Sequence, residues 1–303
     1  MPTSVDLSNP NDNKKFGEFN DFLLSKNKFS PEEIKKEADT RNITKSNFNN
    51  LNSNDLTAKT PLHRFMKGAA GNNITKENIE CLKELGADFN SLDARHQDPL
   101  SCYLSRNDVN LDIFKLLLSK KIGADIFITE GTEYKKFNHL HTYLLSKKNE
   151  ISIEILRYFK KDLGADFNCA TRGNFKVPHL LCIYNSKKIT KEILSYFKDE
   201  AGVDFNALDG SNKNIAHYYL NSCEEPNEEI VEKLVKFGVD FTQQDRHDGM
   251  DAQDKYVKLI HGIKNVPNFI TKKLGGPYHG RLYNNRNRFG KDKISYCGIK
   301  SRK

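Results

Sequence analysis

Residues 86–90 read GADFN, and the phrase returns as GADIF at 123–127, GADFN at 164–168, GVDFN at 202–206 and GVDFT at 238–242. The five glycines stand 37, 41, 38 and 36 residues apart. A phrase returning at this period marks one supersecondary unit stacked repeatedly, each copy burying its faces against its neighbours. Glycine suits the left-handed residue after a helix, where a side chain would clash. Phe89, Phe167, Phe205 and Phe241 then supply one ring per unit, which is what a continuous core needs.

A second phrase precedes each of these: TPLHRFM from Thr60, DPLSCYL from Asp98, NHLHTYL from Asn138, VPHLLCI from Val177 and NIAHYYL from Asn214. Between the two lies a helix-start pattern. An apolar residue precedes a Ser, Thr or Asn, an acid follows two places later, and an apolar residue follows at four. The sets are Ile74, Thr75, Glu77, Ile79; Val109, Asn110, Asp112, Phe114; Ile151, Ser152, Glu154, Leu156; and Ile189, Thr190, Glu192, Leu194, with Pro226, Asn227, Glu229 and Val231 continuing the series. Each reads as an N-cap with a hydrophobic staple, and the acid sits by the positive end of the helix dipole. The bulky Phe65, Tyr103, Tyr143 and Tyr219 of the preceding helices are read as core.

Together these phrases resemble the ankyrin repeat, which opens its first helix with Thr-Pro-Leu-His and closes its second with Gly-Ala-Asp and an apolar residue. Thr60 to His63 match the opening in full, His141 and His217 keep the histidine, and Ser101 and Leu180 stand in its place. The resemblance implies an all-α, ankyrin-type helical solenoid of stacked helix-turn-helix repeats. It implies histidines bonded to the backbone of the adjacent turn, and a partner protein bound by turn tips and first helices. On that basis the candidate contacts are the tip residues Arg95, His96, Gln97, Glu133, Tyr134, Lys135, Arg172, Asn174, Ser211, Asn212, Arg246 and His247. Arg64, Thr142 and Tyr218 join them from the first helices. Units longer than usual, with residues inserted before the second-helix cap, in a Lys- and Asn-rich chain look like those of poxviruses, amoebal parasites and intracellular bacteria. That likeness implies a partner among host factors.

The chain divides at its ends. Residues 1–13 are expected to be disordered, and 14–52 to form a helical N-terminal cap. In the cap FLLSK at 22–26 echoes YLLSK at 143–147, and Phe29, Ser30, Glu32 and Ile34 repeat the staple with Pro31 at the first helical position. An Asn-rich connection over 41–58 follows. Residues 53–262 hold about five repeats and a partial C-terminal cap, with one helix over 251–260 covering the last stacking face. Residues 263–303 carry eleven Lys or Arg against Asp292 alone, a net of +10, whereas residues 1–262 hold 37 basic and 39 acidic residues, a net of −2. The whole +8 of the protein therefore lies in an irregular tail. Its Lys272, Lys273, Arg281, Arg286, Arg288, Lys291 and Lys293, interleaved with Tyr and Phe, suit a nucleic acid, an acidic protein surface or an anionic membrane. The same composition also suits a plain solvated end.

Composition excludes several classes. No run of 18 apolar residues exists and the first 30 residues are polar, so neither a membrane span nor a secretory signal is expected, and the compartment read from this is the cytoplasm, its own or a host's, or the nucleus. Cys81, Cys102, Cys169, Cys182, Cys223 and Cys297 fall singly. The His179–Cys182 pair lacks the second pair of ligands that a zinc site needs. No phosphate-cradling loop, GxSxG elbow, HExxH or kinase signature occurs. The expectation is a monomeric, non-enzymatic scaffold without metal or cofactor.

Overall fold

The computed structural model describes residues 10–25, 27–50, 59–126, 139–145, 150–171, 173–223 and 225–259. Among them the chain is helical, with no strand. The helices alternate between two sets. The first comprises α1 (Pro10–Leu23), α3 (Pro61–Gly68), α5 (Pro99–Leu104), α7 (His139–Leu145), α9 (Val177–Asn185), α11 (Ile215–Ser222) and α13 (Ala252–Leu259). The second comprises α2 (Pro31–Thr40), α4 (Lys76–Glu84), α6 (Leu111–Leu118), α8 (Ile153–Arg157), α10 (Lys191–Ser195) and α12 (Glu228–Lys236). Members of the first set touch one another in unbroken chain order from α1 to α13, and in the second set α2 packs on α4 and α10 on α12.

These helices are too short to persist alone in water, so their ends must be held. The second set starts at the expected caps. Asn110 Oδ1 accepts from Asp112 N–H at 2.8 Å, and Thr75, Ser152, Thr190 and Asn227 do likewise at the heads of α4, α8, α10 and α12. Ser30 forms a full capping box with Glu33 on α2. The first set is capped by Thr60, Asp98 and Asn214. Asp98 has a further role: its other oxygen lies 2.9 Å from His139 Nε2, a buried pair joining α5 to α7.

Each closing phrase resolves into separate jobs. The glycine has positive φ in all five copies: 98°, 77°, 64°, 68° and 75°. In four copies the Asp accepts from the backbone two residues on, as Asp88 does from Asn90 N–H at 2.9 Å. The Phe is core, with Phe89, Phe167, Phe205 and Phe241 no more than 5% exposed. The Asn crosses to the next unit. Asn90 Nδ2 donates to Gly123 O at 2.9 Å and its Oδ1 accepts from Asp125 N–H at 2.8 Å. Asn168 makes the same pair of bonds to Gly202 and Asp204, and Asn206 to Gly238 and Asp240. Asn49 makes them to Gly86 and Asp88, so SNFN at 46–49 is a concealed closing phrase for the N-terminal pair, with Phe48 fully buried. At 127 the chain has Phe, which lacks the amide the rung requires.

Three findings depart from the sequence reading. Helix α1 begins at Pro10, inside the segment 1–13 expected to be disordered. Helix α9 has Lys176 in the capping position, so His179 and not Leu180 occupies the histidine place of that unit. Helices α8 and α10 widen into π turns at Tyr158–Asp162 and Tyr196–Glu200. Cap to glycine is 11 residues from Thr75 to Gly86 but 12 from Ser152 to Gly164 and from Thr190 to Gly202. The π turn takes up the extra residue without a loop.

The tyrosines of the first helices also do more than fill space. Tyr103, Tyr143 and Tyr219 are each 1% exposed, and their hydroxyls reach across the interhelical connection to the cap residue of the second helix. They accept from Asn110 N–H at 2.8 Å, Ser152 N–H at 2.9 Å and Asn227 N–H at 3.1 Å. Burial pushes the first two phenols up to about 12. They stay protonated donors as well, Tyr103 to Asn110 O at 3.1 Å and Tyr143 to Glu150 O at 3.2 Å.

Candidate interaction edge

Seven residues after four of the five closing glycines stand Asp93, Thr171, Asp209 and Asp245, each buried, and each opens a turn. Asp93 Oδ1 accepts from Arg95 N–H at 2.8 Å and Gln97 N–H at 2.9 Å. Asp209 Oδ1 accepts from Ser211 and Lys213 N–H at 2.8 Å each, and Asp245 Oδ1 from His247 and Asp248 N–H at 2.9 Å each. The turn is closed by a residue of left-handed φ: His96 at 56°, Asn174 at 57°, Asn212 at 60° and Gly249 at 66°. Backbone bonds then join neighbouring tips, Gly210 N–H to Gly173 O at 3.2 Å and Arg246 N–H to Ser211 O at 2.9 Å.

The first-helix histidines anchor the tips from beneath. His63 Nε2 donates to Gln97 O at 2.8 Å while Nδ1 faces Thr60 Oγ1 at 2.7 Å. His179 Nε2 donates to Ala207 O at 2.9 Å, and its Nδ1 accepts from Lys176 N–H at 3.0 Å. Burial pulls His63, His141, His179 and His217 down, His141 to about 4, so these rings are neutral near pH 7. Burial also disfavours the charge of Asp209, but the Tyr218 hydroxyl and the turn N–H groups outweigh it and hold the carboxyl below its ordinary value.

The structure sorts the candidate residues. Arg95, His96, Asn174, Asn212, Arg246 and His247 are exposed at the tips. Arg64, Gln97, Thr142, Ser211 and Tyr218 are half-buried. His96, Asn174 and Asn212 also serve the backbone, because short polar side chains tolerate the left-handed conformation. Asn174 Nδ2 further donates to Leu208 O at 2.8 Å. Tyr218 has its hydroxyl on Asp209 and its ring 5.9 Å from Phe175 and 5.4 Å from His179. Glu133, Tyr134, Lys135 and Arg172 lie outside the described residues, as do Lys272, Lys273, Arg281, Arg286, Arg288, Lys291 and Lys293. Sequence reading missed the buried Asp93, Asp209 and Asp245, although their fixed offset from the glycine was there to be seen, and it missed Lys176 and Phe175 through the register error at Val177.

Elsewhere the chemistry is quiet. Burial raises the thiols of Cys81, Cys102, Cys182 and Cys223, Cys102 to about 12, so none is a thiolate near neutrality. Among the described residues no group of three His, Cys, Asp or Glu could hold a metal, and no helix is long and apolar enough to cross a membrane. The outer face of the second helices is laced by ion pairs between units: Lys35–Glu84 at 3.0 Å, Lys121–Glu80 at 2.7 Å, Arg157–Glu200 at 2.6 Å and Lys191–Glu229 at 3.1 Å.

A scan against protein-family models finds no match, and neither does a search of curated proteins. Among solved structures the chain is similar to one from the complex of the predatory endopeptidase Bd0816 of Bdellovibrio bacteriovorus with the immunity protein Bd3460. The TM-score is 0.45 and the identity 16%, over 61% of this chain and 86% of that one. A likeness at this level carries no conclusion about this chain.

Proposed function

We propose that this chain is a non-enzymatic scaffold, an ankyrin-type helical solenoid that binds a partner protein along its turn tips and the adjoining faces of its first helices. The observation that carries the reading is the division of labour at the tips. Buried Asp and His side chains and bonds between tips fix the main chain, while the outward side chains differ from unit to unit. A rigid frame with variable outward groups binds without paying ordering entropy at the contact. The likeness of repeat style favours a host factor as that partner.

A second reading is favoured by the +10 tail, which suits a polyanion. One experiment separates the two. Nuclease-treated capture from a cell lysate, with bound proteins read by mass spectrometry, is run on residues 1–303, on 1–262, and on the full chain carrying R95A and R246A, which shorten exposed side chains at two tips. A protein partner retained without the tail and weakened by the tip changes supports the scaffold; partners lost with the tail or with nuclease refute it.

A further inference from the structure

We infer that a cavity between the heads of α2 and α4 binds a primary ammonium carried on an alkyl chain. It lies at the helix heads rather than at the turn tips, so it does not rest on the scaffold reading. The third residue of α6, α8, α10 and α12 is Ile113, Ile155, Ile193 and Ile230, but in α4 it is Asn78. That asparagine is 2% exposed. Its Nδ2 donates to Phe29 O at 3.2 Å and to Asn73 O at 3.0 Å, which fixes the orientation of the amide, and its Oδ1 is left buried without a partner. An unpaired buried acceptor is costly at a position where isoleucine serves in the other units.

Asn78 lines an open cavity of about 410 Å³, within the size range of small-ligand sites. With Nδ2 held on two carbonyls, Oδ1 is the polar atom it has left for that space. Phe29 and Pro31 give the cavity an apolar wall for an alkyl chain. Its other unused polar atoms are acceptors too. The Glu77 carboxylate is exposed and bonds to nothing among the described residues, and Glu33 keeps Oε1 free because Oε2 accepts from Ser30 N–H at 2.7 Å. Lys28, exposed in the same lining, bonds to none of them. An ammonium has three donors and no acceptor, which matches these oxygens. A neutral amide would bring a carbonyl to face acceptors, a phosphate would face carboxylates, and a calcium ion takes roughly six to eight oxygens. The positive ends of the two helices oppose a cation, but Glu32, Glu33 and Glu77 stand in their first turns and offset them. The match is one of donors to acceptors rather than of net charge.

The test titrates the full isotope-labelled chain, at constant ionic strength and neutral pH, with n-butylammonium, acetyl-lysine amide, butanamide and inorganic phosphate. The backbone amides of Ser30, Glu77 and Asn78 are followed by NMR. Both amines should give saturable shifts with a dissociation constant on the order of 1 mM. Asn78→Ile, which installs the residue of the other units, should weaken that binding about tenfold, and Glu77→Gln about threefold, with thermal unfolding to confirm that each variant is folded. Whichever amine binds tighter, the chemistry stands, and the difference separates a partner's lysine side chain from a free alkylamine. Absence of saturable shifts up to about 100 mM leaves the orphan oxygen to water and overturns the proposal. Equal shifts from butanamide or from phosphate overturn it as well, and so does amine binding indifferent to both substitutions. Should Asn78→Ile fail to fold, indifference to Glu77→Gln alone is decisive.

Discussion

Replacing Tyr143 by Phe removes one oxygen and nothing else, which makes it the sharpest probe of how the helix pairs are held. The ring, 1% exposed and 6.1 Å from that of Phe159, keeps its packing. What is lost is the bond from Ser152 N–H at 2.9 Å and the bond to Glu150 O at 3.2 Å. Glu150 is exposed, so water replaces the second. Ser152 is half-buried at the head of α8, and stranding its N–H costs about 1–2 kcal/mol. Tyr143→Ala adds a cavity and should cost about 3–5 kcal/mol in total. For a chain of this size the Phe variant should therefore melt roughly 2–8 °C lower, followed by far-UV circular dichroism. Because each unit contacts only its neighbours, amide exchange should quicken most at Ser152 and along α8. An unchanged midpoint with unchanged Ser152 protection would refute the clasp, and an Ala variant no worse than Phe would refute the core assignment of the ring.

Three further outcomes are expected. Asn168→Ala, which deletes the rung to Gly202 and Asp204, should lower stability by about 1 kcal/mol in a urea titration; a change confined to Asn168's own unit in exchange measurements would contradict a bridge between units. The four buried histidines have folded pKa values below their unfolded 6.5, so the stability they contribute is complete above pH 6.5 and lost as pH falls below it, for His141 down to about 4. His141 alone, at about 4, accounts for about 3 kcal/mol of that loss, and H141F should flatten the melting temperature against pH between those limits. Asn20 is 1% exposed in α1 with neither amide atom bonded, so Asn20→Leu should raise the melting midpoint by an amount corresponding to about 1–3 kcal/mol, and a drop would show that the amide has a partner in solution.

The periodic parts of this molecule were legible because local physics specifies them. The cap residues Thr75, Asn110, Ser152, Thr190 and Asn227 act on N–H groups two or three residues away, and a closing glycine acts on its own φ. The rungs were not legible. Asn90, Asn168 and Asn206 bond the main chain 32 to 36 residues on, and nothing adjacent in sequence reveals that target. The N-terminal copy was hidden for a related reason. Asn47 takes the place of Asp, and Lys45 that of glycine, so the phrase lost its two most recognisable letters while keeping Phe48 and Asn49. The π turns left no signature beyond one extra residue, which could as well have entered a loop. At the edge, Asn174 and Asn212, read as contacts, also hold left-handed turn positions, and the carboxylates that shape the turns were passed over because a buried Asp looks like a surface one in sequence.

The arrangement also explains how a chain of only 37% hydrophobic residues and mean hydropathy −0.69 orders so many short helices. Its apolar groups fill a thin core between neighbouring units, and a set of polar side chains, some buried and some at the surface, substitutes for the missing depth by terminating backbone groups that would otherwise be stranded. Tyr hydroxyls hold cap N–H groups, Asn amides tie one closing phrase to the next, Asp carboxylates gather the turn N–H groups, and His rings take the turn carbonyls. The frame of the edge is thus built from the same few polar side chains, Asp93, Asp209 and Asp245 holding the turns from within.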